Sequence, residues 1–255
     1  MSIKEKYGSL FLIPNTLGEE DRLAQIPYVI PPLVAKVASE LESWIVENAK
    51  TARNFLSAVH QIHPLRVPLQ EIKMQVWKGP QPGIDPKLFL EPLIDGVDVG
   101  LMSEAGLPAI ADPGAEIVAQ AHLFGISVKP MSGPSSLMLA LMGSGMNGQS
   151  FSFHGYLPIK NPERSKKIKS IEAESRQFRN AHLWIETPYR NTGMLTTLIE
   201  TLSINTQVCM AIDLTLPSEL IIRHSVKEWQ ERLAKPHDIP LNLDKRPAVF
   251  ILQAI

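Results

Sequence analysis

The densest set of residues able to grip a polar ligand is the run Ser103-Glu104-Ala105-Gly106-Leu107-Pro108-Ala109-Ile110-Ala111-Asp112-Pro113-Gly114. It combines small side chains, two prolines and two carboxylates directly after an apolar segment. Small residues let backbone amides and carbonyls come close to a bound molecule, and prolines fix the loop's shape before that molecule arrives. The same composition suits a well-built structural turn, and the residues alone leave both readings open. Gly133-Pro134-Ser135-Ser136 is a second place of this kind: it caps a helix, or it offers amides and hydroxyls to a polar ligand.

Several familiar chemistries lack their residues. The first loop, Pro14-Asn15-Thr16-Leu17-Gly18, has one glycine where a dinucleotide site needs a Gly-x-Gly-x-x-Gly turn. There is no phosphate-loop lysine motif, no Cys-x-x-Cys pair and no His-Glu-x-x-His, so no metal site is expected. From Lys160 to Lys169 the chain carries Lys160, Arg164, Lys166, Lys167 and Lys169 against Glu163 alone. Such a run is either a phosphate-binding patch or a solvated helix face.

The elements that must position these residues alternate. Ser9 to Ile13 is a continuous apolar run, as expected of a strand buried on both faces of a parallel sheet. Helical spacing over Leu33 to Glu42, a strand at Trp44-Ile45-Val46 and a helix from Ala49 to Val59 follow. The proline-rich stretch from Gln61 to Lys87 resists assignment, and an exposed, mobile connection is expected near Lys78 to Asp85. Val97 to Met102 reads as a strand, Ala115 to Phe124 as a helix and Ile126 to Pro130 as a strand. Crossovers of this type place the loops after Ile13, Met102 and Pro130 on one rim, beyond the carboxyl ends of the strands. The second half restarts at Phe151 to Tyr156, with a basic helix from Glu163, a strand Ala181 to Glu186, a helix Arg190 to Leu202, and strands around Cys209 and Ala248 to Leu252.

At 255 residues the chain sits where single cores give way to two. A single cysteine closes no intrachain disulfide, so Cys209 is expected to be a core thiol in a reducing compartment. The apolar run near the amino terminus is too short for a signal peptide and no segment reaches spanning length, so a cytoplasmic protein without membrane contact is expected. The 25 basic and 26 acidic residues nearly cancel, so any nucleic-acid contact must come from a local patch.

The Ser103–Gly114 run, followed by Ser132-Gly133-Pro134-Ser135-Ser136, resembles the tetrapyrrole methylase superfamily, and within it the ribosomal RNA small-subunit methyltransferase I branch. Other fragments fit in the same order: Phe11-Leu12-Ile13-Pro14, Glu47 to Arg53, Gly155 to Lys160, Glu186-Thr187-Pro188-Tyr189-Arg190 and Asp213-Leu214-Thr215. The resemblance implies an α/β fold of two domains, 1–131 with a mostly parallel sheet and 132–255 with a mixed sheet. It further implies a homodimer, and S-adenosylmethionine bound in a cleft between the domains. Carried over by position, the cofactor-binding residues would be Pro14, Met102, Ser103, Glu104, Gly106, Pro108, Ile110 and Asp112 in the first domain. Ser135, Ser136, Tyr156, Ala211 and Ala248 would complete the set.

Methyl transfer needs chiefly a nucleophile held in line with the sulfur. An RNA hydroxyl acting as that nucleophile also needs a base, for which Glu104, Glu186 and Asp213 are the candidates. Lys160, Arg164, Lys166 and Lys167 are the expected RNA contacts, with small-subunit ribosomal RNA as the implied substrate and a cytidine ribose oxygen as the implied acceptor. The branch tends to carry positive charges where this chain has Ile212 and Leu216. A small tetrapyrrole-like or protein acceptor, or a binding module without turnover, therefore stays open beside the RNA reading.

Overall fold

The computed structural model describes residues 7–18, 20–234, 243 and 245–255. They divide into two compact units, the first ending at Ser135 and the second beginning at Ser136.

The first unit contains β1 (Ser9–Leu12), α1 (Arg22–Val29), α2 (Pro32–Glu40), β2 (Ser43–Val46), α3 (Ala49–His60), β3 (Lys73–Val76), α4 (Glu91–Ile94), β4 (Val99–Met102), α5 (Ala115–Leu123) and β5 (Ser127–Pro130). Its strands form one parallel sheet in the order β3-β2-β4-β1-β5. All four residues of β2 and of β4 are buried, because each strand must be apolar on both faces. Trp44, Val46 and Met102 join Phe55, Leu56 and Val59 in a core that also takes residues of α1 and α2. Ile45, Leu101 and Leu10 pack on the other side with Leu93, Ile117 and Ala121 of α4 and α5. Full burial of a side chain such as Phe55 contributes about 2–3 kcal/mol. Gly100 is required at the centre of β4: a Cβ there would sit 2.6 Å from the Trp44 indole, which lies across the strand.

The second unit contains α6 (Ser136–Ser144), β6 (Phe151–Tyr156), α7 (Glu163–Phe178), β7 (Ala181–Glu186), α8 (Asn191–Thr201), β8 (Gln207–Ile212), β9 (Leu220–Ser225), α9 (Val226–Leu233) and β10 (Ala248–Gln253). Its sheet runs β6-β7-β10-β8-β9, parallel between β6 and β7 and antiparallel elsewhere, so it is mixed as expected. Trp184 and Phe250 stack with their ring centroids 5.8 Å apart at the heart of its core. Cys209 is buried, and burial pushes its thiol up to about 12.

Several elements differ from the sequence expectation, α4 among them. α1 contains Pro27, which breaks the apparent helical pattern; here it lies near the carboxyl end of the helix, with Tyr28 and Val29 after it. β3 emerges from the proline-rich stretch as an edge strand beside β2, and its partly exposed residues explain its weak apolar signal. β9 and α9 were not expected: β9 carries Arg223 and His224 on a half-exposed edge, and α9 starts with a Ser225–Glu228 capping box. The connection over 81–85 is exposed, whereas Gly79 is buried. No helix among the described residues is long and apolar enough to cross a membrane.

Candidate functional site

In the first unit the loops following β1, β4 and β5 are tied together at the carboxyl ends of adjacent parallel strands. The Asn15 amide N–H donates to the Gly106 carbonyl at 2.9 Å, and the Gly106 N–H donates to Thr16 O at 3.4 Å. The Asn15 side chain, fully buried, donates from Nδ2 to the carbonyls of Ser103 and Glu104. A Cβ on Gly133 would lie 2.3 Å from the Pro14 ring, so only glycine lets the third loop approach the first so closely. Sequence-predicted Pro14, Ser103, Glu104 and Gly106 therefore share one neighbourhood in the strict sense of packed or hydrogen-bonded loops, and Ser135 follows two residues after Gly133.

The Ser103–Gly114 loop is held in an unusual backbone shape. Gly106 (φ 65°), Ala109 (φ 64°), Ala111 (φ 62°) and Gly114 (φ 136°) all have positive φ. A left-handed alanine costs about 1–2 kcal/mol, and such residues persist where surrounding structure over-determines them. Pro108 and Gly106 are buried while Ile110 is exposed. Met102 differs from its neighbours: its side chain belongs to the core and its carbonyl accepts from the Glu47 N–H. The Ser103 hydroxyl is buried and has no hydrogen-bond partner among the described residues, which leaves a polar atom available beside Glu104.

Electrostatics in this loop are dominated by carboxylates. Glu47 Oε2 accepts from the Glu104 N–H at 3.0 Å, and Glu104 Oε1 accepts from Asn48 Nδ2 at 2.7 Å. Burial first, then the nearby charges of Glu47 and Glu104, raise Asp112 from 3.8 to about 7. Asn15, Glu47 and Asn48 were not among the expected site residues. Asn48 had a legible signal, an asparagine just before a helical pattern, but nothing in the chain shows that its amide meets a glutamate 56 positions away.

In the second unit, Glu186 and Asp213 are both paired with arginine. Arg190 Nε donates to Glu186 Oε1 at 2.7 Å, and Arg246 Nε donates to Asp213 Oδ2 at 2.7 Å. Glu186 Oε2 is buried without a partner among the described residues. Glu186 and Ile212 both pair with Ala248 across the sheet, and Ala211 pairs with Val249. Ala211 and Ala248 are buried, whereas Tyr156 is exposed. Asp213 has a left-handed backbone and is further held by Ser218 Oγ.

Of the expected RNA contacts, Lys160 and Lys166 are exposed and Arg164 and Lys167 half-buried. The Lys167 charge acts on a histidine pair on β6 and β7. His154 Nε2 lies 2.7 Å from His182 Nδ1, and His182 Nε2 lies 3.0 Å from Asn180 Oδ1. Burial, then Lys167 and His182, hold His154 down at about 4, and burial holds His182 below the usual histidine range.

No family model matches the chain. Among curated proteins it is similar to ribosomal RNA small subunit methyltransferase I of Vibrio cholerae, 34% identical over 135 residues covering 53% of this chain and 46% of that protein. The protein of the same name from Micromonospora olivasterospora is 32% identical over 226 residues, 89% of this chain and 66% of that one. The chain thus spans about half the length of the first curated relatives it matches. Among solved structures it is similar to the methyltransferase CobJ, with a TM-score of 0.60, 14% identity, and 97% and 94% of the two chains covered. It is also similar to the cobalt precorrin-4 methyltransferase CbiF, with a TM-score of 0.57, 14% identity, and coverage of 96% and 94%. The chain shares the fold of these methyltransferases, and the curated proteins it resembles in sequence are ribosomal RNA small subunit methyltransferase I proteins.

Proposed function

We propose that the chain binds S-adenosylmethionine at the loops following β1, β4 and β5 and transfers the methyl group to a ribose hydroxyl of small-subunit ribosomal RNA. The observation that carries this reading is the knitting of those three loops, through Asn15, Gly106 and Gly133, at the carboxyl edge of a parallel sheet. The residues fit the cofactor's chemistry. Glu104 and its carboxylate neighbours suit the positive charges of a sulfonium amino acid, the buried Ser103 hydroxyl offers an unspent polar group, and Ile110 supplies exposed apolar surface. The bound sulfonium supplies an activated methyl group. The chain's own part is to hold the acceptor oxygen in line and to receive its proton.

For the proton, Glu186 and Asp213 are already paired with guanidinium groups. Asp112, raised to about 7, is the carboxylate matched to accepting a proton near neutral pH. Lys160, Arg164, Lys166 and Lys167 are the proposed contacts to RNA phosphates. The name shared by the sequence relatives supports RNA as acceptor, and the protein is expected to act in the cytoplasm as a homodimer.

Isothermal titration with S-adenosylmethionine should show binding, and label from the methyl group should pass to a ribose oxygen of unmodified small-subunit RNA. Binding without transfer to RNA, but with transfer to a tetrapyrrole, would redirect the acceptor. Absence of any binding would overturn the reading.

A further inference from the structure

The Asn48 side chain sits at a junction between helix geometry and the acidic loop. It is the N-cap of α3, with extended backbone (φ −142°, ψ 117°), and its Oδ1 accepts from the Lys50 and Thr51 N–H groups at 2.9 and 3.4 Å. That commitment fixes the orientation of the amide. A flipped amide would set Nδ2 against two N–H donors and Oδ1 against a carboxylate, losing every contact. Nδ2 therefore faces Glu104 and donates to Oε1, which the Thr51 hydroxyl also approaches at 3.5 Å. The Glu104 main chain is held at the same time by Glu47, so both ends of this residue are anchored to the β2–α3 junction. No described donor hydrogen-bonds Oε2.

We propose that Asn48 is a positioning residue: its uncharged amide holds Glu104 by one carboxylate oxygen and so presents the other to the positive charge of the bound cofactor. The inference rests on the reading given under Proposed function. An aspartate at position 48 would cap α3 equally well, but it would confront Glu104 with a fourth carboxylate beside Glu47 and Asp112. Asparagine gives the same cap and turns that repulsion into a donor. Crowding of negative charge here is already visible at Asp112, which burial and its two glutamate neighbours push to about 7.

Helix capping and Glu104 positioning separate experimentally, because Ser and Asp cap as well as Asn. Asn48→Ser keeps the cap but cannot span to Glu104. Asn48→Asp keeps the cap and replaces the donor with an acceptor. Both should melt within about 2 °C of the parent protein.

Titrated with S-adenosylmethionine at pH 8.5, each should bind about tenfold more weakly, the scale of one hydrogen bond to a charged group. At pH 6 Asn48→Asp should recover to within threefold of the parent, since two facing carboxyls share a proton and regain a donor. Asn48→Ser should not recover. In a Glu104→Gln background Asn48→Ser should cost less than twofold more, because the contact it removes is no longer charged.

Variants that bind within twofold of the parent at both pH values, or additive losses in the double variant, would overturn the role of Asn48 while leaving cofactor binding intact. A parent protein that gives no heat would overturn both the inference and the reading beneath it.

Discussion

Asp112 offers the sharpest energetic test of the acidic loop. Its carboxyl holds a proton up to about pH 7 in the folded protein and only to about 3.8 in the unfolded chain. Between those values the folded state binds more protons, so this group's contribution to stability falls as pH rises and levels off above 7. Asp112→Asn keeps the shape of the neutral form and removes the titration. From pH 5 to pH 7 the full effect would be about 2.7 kcal/mol at about 1.4 kcal/mol per pH unit. Asp112 is only half-buried, and solvent screens its neighbours, so we expect about 1 kcal/mol. The assay is urea denaturation of parent and variant at pH 5 and pH 8, with equal m-values as the condition for comparison. The variant should gain about 1 kcal/mol on the parent between the two. An equal difference at both pH values, or a gain at the acid end, would refute the assignment of a raised carboxyl at this position.

Gly106→Val should abolish S-adenosylmethionine binding at millimolar ligand by calorimetry, because its φ of 65° and a Leu17 methyl only 3.1 Å from the new Cβ force the loop to move; Ser135→Arg should do the same by bulk. Gly100→Ala should destabilise the first unit by about 2–3 kcal/mol in denaturant melts, since its methyl must displace the Trp44 indole. Alanine at both Arg164 and Lys166 should lower the slope of log affinity for single-stranded RNA against log salt by about 1–2, as two phosphate contacts are lost. On acidification from pH 6.5 toward 4 the second unit should lose stability, because the unfolded chain takes up protons that half-buried His154 and buried His182 refuse; thermal melts of His154→Gln should show a shallower acid slope.

How much of this was legible in the chain follows from local signal strength. β2 and β4 are short, carry one polar residue (Ser43) between them and are buried throughout, so their burial is written in their composition. α3 shows its apolar face and its cap together. α1 was hidden by Pro27, β3 by the prolines in the segments flanking it and by its open edge, and β9 by Arg223 and His224, polar residues side by side in a half-buried strand. The loops after β4 and β5 were visible because glycine, proline and serine concentrate there. Their partners were not: Asn15 reaches Glu104 across 89 positions and Asn48 across 56, contacts created by strand order in a parallel sheet and not by neighbourhood in the chain.

The two left-handed alanines, Ala109 and Ala111, carry a lesson for anyone who would engineer this protein. Glycine at either position would relax the backbone and look like an improvement on a melting curve. It would also hand the loop back its freedom, so that each arriving molecule would have to freeze out motion the alanines have already frozen during folding. Tighter folding and tighter capture pull in opposite directions at these two sites.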